Sequence, residues 1–109
     1  MTRTPDDILR EITETRHELM RGSQALYEAE LNAERLEDAA QLAFDKVLMV
    51  AEGSIPDRQA QARAGSVVER DAGFVARAQY NRVRAKIRAL EAALTSLQTE
   101  LKWAREVGA

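Results

Sequence analysis

The stretch Arg77–Trp103, RAQYNRVRAKIRALEAALTSLQTELKW, decides the fold. Tyr80, Val83, Ile87, Leu90, Leu94, Leu97 and Leu101 recur at alternating spacings of three and four, the pattern of a coiled-coil seam. Neither Pro nor Gly interrupts it, so the stretch reads as a long amphipathic helix whose apolar stripe needs a partner.

The partner lies upstream. Ile8, Ile12, Thr15, Leu19, Gly22, Leu26, Ala29, Ala33, Leu36, Ala40, Ala43, Val47 and Val50 follow the same spacing. Thr4 suits an N-cap and Pro5 the first helical position, and Asp6 and Asp7 complement the helix dipole. A first helix is therefore predicted over about 5–52. Gly53 stands where a left-handed terminating residue belongs, and Ser54 with Asp57 resembles a second capping box. The turn is placed at 53–56 and the second helix at about 55–107. Gly65 and Gly73 weaken its first third, where fraying or a bend is expected.

A turn this short makes the helices antiparallel neighbours. Folding at Ser54 pairs residues whose numbers add to about 109: Gly22 with Ile87, Ala29 with Tyr80, Leu36 with Gly73. Small faces large, as interdigitated packing requires. On the flanks this register sets Glu30 near Arg77, Glu37 near Arg70 and Arg16 near Glu91. Ala40 opposite Glu69 fits poorly, so the register is expected to shift beside the glycines. The fold class is all-α, an antiparallel two-helix hairpin filling a single domain, 1–109.

Leu9, Met20, Tyr27, Phe44 and Leu48 form a second apolar stripe beside the first, and Phe74 and Trp103 are left over. Two helices bury one stripe each, a thin core for this length. These seven residues are the candidate interface, and the simplest partner is a second copy, giving a four-helix bundle or larger homo-oligomer. An unidentified protein partner is the other occupant the stripe could serve.

Charge is asymmetric. The net value is −2, but residues 1–52 carry 12 acidic and 6 basic side chains, and residues 53–109 carry 6 acidic and 10 basic. Arg77, Arg82, Arg84, Lys86 and Arg88 fall in twelve residues without an acid, with Asn81 among them. Arg77, Asn81, Arg84 and Arg88 share one side of the helix, where they could follow a phosphate backbone. Against nucleic acid stand the acidic first helix alongside and the single aromatic, Tyr80, which the seam claims. A solvated, partly ion-paired face is the plainer reading.

Catalytic chemistry has little to build on. There is no cysteine for a disulfide or a thiolate site. Glu14-x-x-His17 has the spacing of di-iron bundle ligands, but both residues face outward in this register, and a solvated helix face explains them. Serines lack an arranged base and a hairpin offers no deep cleft, so a non-enzymatic protein without cofactors is expected. No apolar run approaches the ~20 residues of a membrane span, and no signal-like segment opens the chain. A soluble, cytoplasmic protein that does not engage membranes is the expectation.

Ala51-Glu52-Gly53-Ser54, Arg58-Gln59-Ala60-Gln61-Ala62 and the run RAKIRALEAALTSLQTEL at 84–101 carry a resemblance. They are similar to small helical proteins encoded in phage and prophage genomes, often near replication or recombination genes. The shared features are a Gly-Ser turn, an Arg-x-Ala-x-Ala helix start and a Leu-Gln-Ser/Thr element, here Leu97-Gln98-Thr99. The resemblance spans about residues 50–102. It implies a non-enzymatic phage accessory protein that serves DNA metabolism in a bacterial host, and it brings no catalytic residues.

Overall fold

The computed structural model describes residues 3–108; Met1, Thr2 and Ala109, inside the expected domain, lie outside them. The described chain is all-α: α1 (Pro5–Val50), α2 (Ile55–Gly65) and α3 (Val67–Gly108). No helix among the described residues is long and apolar enough to cross a membrane.

Local chemistry sets the ends. Thr4 Oγ1 accepts a hydrogen bond from the Asp7 N–H, and the Thr4 N–H donates to Asp7 Oδ2, so the two residues cap α1 reciprocally. Hydrogen bonds from Thr4, its side chain first and its backbone second, hold the Asp7 carboxyl below its ordinary range. At the other end Gly53 takes φ +110°, and Gln61 Nε2 donates to the Glu52 carbonyl. Ser54 then caps α2 by accepting from the Asp57 N–H. The turn occupies residues 51–54, two earlier than expected, because α1 stops at Val50. Val50 is therefore 78% exposed and leaves the seam to Val47.

The second helix is not continuous. It breaks at Ser66, whose φ and ψ are −116° and 12°. The buried Ser66 hydroxyl donates to the Ala62 carbonyl at 2.7 Å, and Arg70 Nη2 donates to the Arg63 carbonyl at 2.8 Å. These bonds occupy carbonyls at the end of α2. The break also moves the register. A Cβ on Gly73 would sit 3.6 Å from the Leu36 carbonyl oxygen, in line with the expected pairing. Beyond the break Gly65 approaches Val47 so closely that a Cβ would lie 2.8 Å from Val47 Cγ2, a pairing displaced by three residues.

The chain packs as two compact units, one running to Leu26 and resuming at Val83, the other Tyr27–Arg82. In the first, antiparallel segments of α1 and α3 enclose Ile8, Ile12, Leu97 and Leu101, with Leu94 and Ala104 packed against them. Ile87 Cδ1 fills the space that a Cβ on Gly22 would need. Arg3 reaches both Glu11 and Glu100. In the second, the most buried side chains are small: Ala33, Ala40, Ala62, Ala76 and Ser66. One unit interlocks large side chains; the other brings backbones close.

The Asp7 carboxyl, and that of Glu37 described below, titrate lower in the folded chain than their ordinary values of 3.8 and 4.5. Such groups contribute stability above those values that is lost as pH falls through the lowered ones. Denaturation midpoints should fall between about pH 5 and about pH 3, and a double Asp7→Asn, Glu37→Gln chain should show a shallower fall over the same interval.

Candidate functional site

The candidate interface residues divide between the two units. In the first, Leu9, Met20 and Trp103 are exposed by 39%, 73% and 63%. Trp103 borders a shallow groove with Arg3, Ile8, Glu100 and Val107. Met20 stands away from that groove. In the second unit Tyr27 and Phe74 are exposed by 61% and 69%, whereas Phe44 and Leu48 are half-buried.

Phe44 and Phe74 come together. They wall a groove of about 200 Å³ whose floor is Ala40 and Gly73, with Glu37, Gln41 and Arg70 at its margins. The groove exists because the seam residues here are small. Two helices whose facing positions are Gly and Ala approach closely and leave the neighbouring aromatic rings standing above them. The Nε of Arg70 is buried without a hydrogen-bond partner.

Glu37, at the margin of the groove, is held in an ion pair. Arg77 Nε donates to Glu37 Oε2 at 3.0 Å, and its Nη2 donates to Glu37 Oε1. The guanidinium also lies 5.1 Å from the centre of the Tyr80 ring. The hydrogen bond from Arg77 holds the Glu37 carboxyl below its ordinary range, and the same bond raises the guanidinium above its own. The expected partner of Arg77, Glu30, is displaced by Glu37, one heptad along. Helical side chains lean toward their own N-terminus, so across an antiparallel pair Arg77 leans back toward Gly73 and Glu37 back toward Ala33. The two lean toward one another, while Glu30 leans away.

Asn81, Arg82, Arg84, Lys86 and Arg88 are exposed on α3. Lys86 borders a second groove with Glu18 and Arg21, over Gly22 and Ile87. Of the six candidate nucleic-acid contacts, Arg77 is the one engaged within the fold. Glu14 and His17 are exposed on α1, and among the described residues no group of three or more His, Asp or Glu side chains gathers as a metal site.

Sequence reasoning missed part of the exposed apolar surface. Val67, Val68 and Val75 are 46%, 74% and 60% exposed beside Phe74. The signal was present: Val67 with Phe74 and Val68 with Val75 each repeat at seven residues, giving an outward strip on α3. Met49 and Ile55, on either side of the turn, are exposed as well.

Compared with protein-family models, curated proteins and solved structures, the chain matches none.

Proposed function

We propose that this chain is a non-enzymatic, phage-type helical protein that works by self-association and protein–protein contact in the cytoplasm of a bacterial host. The observation that carries the self-association is the groove between Phe44 and Phe74, with a ring 69% exposed above a floor of Ala and Gly. Large aromatics left in water beside an apolar concavity are the anchors and pockets that protein interfaces use. The phage assignment rests on the Gly53-Ser54 turn, the Arg58-x-Ala60-x-Ala62 start and the Leu97-Gln98-Thr99 element.

Light scattering tests the first part. The wild-type chain should show a dimer or larger species whose mass falls on dilution. Phe74→Asp should leave helicity unchanged, since the ring is mostly in water, and should shift the protein to monomer. A wild-type chain that stays monomeric at high concentration would sink the reading.

The exposed row Arg82, Arg84, Lys86 and Arg88 supports a second reading, an accessory factor that binds nucleic acid. Binding of a short DNA duplex should then weaken steeply with salt and vanish when all four are changed to Glu. On the favoured reading, those substitutions leave self-association intact.

A further inference from the structure

The surface around the groove is divided by charge, and the division says how a second copy would sit. Within the unit Tyr27–Arg82, α1 contributes Glu30, Glu34 and Glu37 to this flank, with Phe44 and Leu48. From α3 come Arg70 and Arg77, with Val67 and Phe74. The α1 side of the flank carries no base and the α3 side no acid. Glu37 and Arg77 pair within the copy and Arg70 donates its Nη2 to the Arg63 carbonyl, yet the flank stays divided, with three carboxylates on the α1 side and two guanidiniums on the α3 side.

Two copies meeting flank to flank can be related in two ways. A twofold axis running across the helices lays α1 over α1, stacking glutamates on glutamates, and α3 over α3. An axis running along the helices lays α1 of each copy over α3 of the other. Like charges in register destabilise an interface and opposite charges fix its orientation.

We infer that a second copy of this chain docks on the Phe44–Phe74 groove about a twofold axis parallel to the helices, so that the glutamate side of each α1 covers the arginine side of the other's α3. This rests on the self-association proposed above. Phe74 of each copy then packs over the Gln41 region of the other, and the partner's Glu34 and the partner's Glu37 come over Arg77, adding to the pair it already makes. The flank from Tyr27 to Leu48 is about 30 Å long at 1.5 Å per residue and, two helices wide, about 20 Å across. That covers on the order of 600 Å² per copy, about 1,200 Å² for the pair, the lower edge of a stable interface. The dimer should therefore dissociate on dilution.

The chain has no cysteine, which makes cross-linking clean. Glu30 and Asn81 are both exposed and, by the register that sets Gly73 beside Leu36 and Glu37, stand close to one level on opposite helices. Glu30→Cys and Asn81→Cys chains are prepared separately, checked for mass by light scattering, then mixed, allowed to exchange, and treated with a short bismaleimide. The mixed dimer should be the main cross-linked product, severalfold above either chain treated alone. Association without the mixed link, or with the Glu30→Cys chain linking mainly to itself, overturns this arrangement and leaves self-association standing. Monomers at every concentration overturn both.

Discussion

Ile8→Ala is expected to remove about 2–4 kcal/mol of stability, as large-to-small changes at closed core sites do. Ile8 is 1% exposed and packs in the cluster with Ile12, Leu97 and Leu101. Its removal leaves a cavity that rigid neighbours on two antiparallel segments close only in part. For a chain of this size the thermal midpoint should fall by on the order of 10 °C. Met20→Ala, on the same helix but 73% exposed, should change stability by no more than about 0.5 kcal/mol. Chemical denaturation of both variants decides it. Equal effects would mean that the Ile8 cluster does not hold the unit together.

The second large effect has the opposite sense. Ala33 is fully buried in the other unit, where the closest-packed positions are Ala, Ser and Gly. Ala33→Leu adds three carbons where the helices already touch, and overpacking of this kind costs about 1–3 kcal/mol or more. On propensity alone the change is nearly neutral, since Leu ranks next to Ala in helices. A measured gain in stability would show that the seam there has room. Growth is thus the damaging direction in one unit and shrinkage in the other, although both obey one heptad pattern.

That pattern made most of the fold legible. From Ile8 to Val47 and from Tyr80 to Leu101, the positions at three-four spacing are the ones withdrawn from water. The caps at Thr4 and Ser54 and the glycine at 53 were readable for the same reason, since each is a local event between residues close in sequence. A bend and a shift of register beside the glycines were legible as well, but the place and form of the break at Ser66 were not. They depend on a hydroxyl turned back onto Ala62 and a guanidinium reaching Arg63, choices that Gly65 permits but does not dictate. The partner of Arg77 was misplaced because residue numbers locate backbones, whereas long side chains meet where their lean takes them. Phe44 and Phe74 were picked out by leftover hydrophobicity. That they share a groove follows from the small floor beneath them, which only the register reveals.

The alanine-rich seam has a thermal consequence. Apolar hydration gives unfolding its heat capacity, and methyl-sized side chains remove little hydrocarbon from water. Ile8, Ile12, Leu97 and Leu101 remove far more. The unit built on them should carry the more sharply curved dependence of stability on temperature, and cooling, which weakens hydrophobic attraction, should loosen it sooner than the unit built on alanine. Near freezing, amide exchange should quicken around Leu97 before it quickens around Ala33.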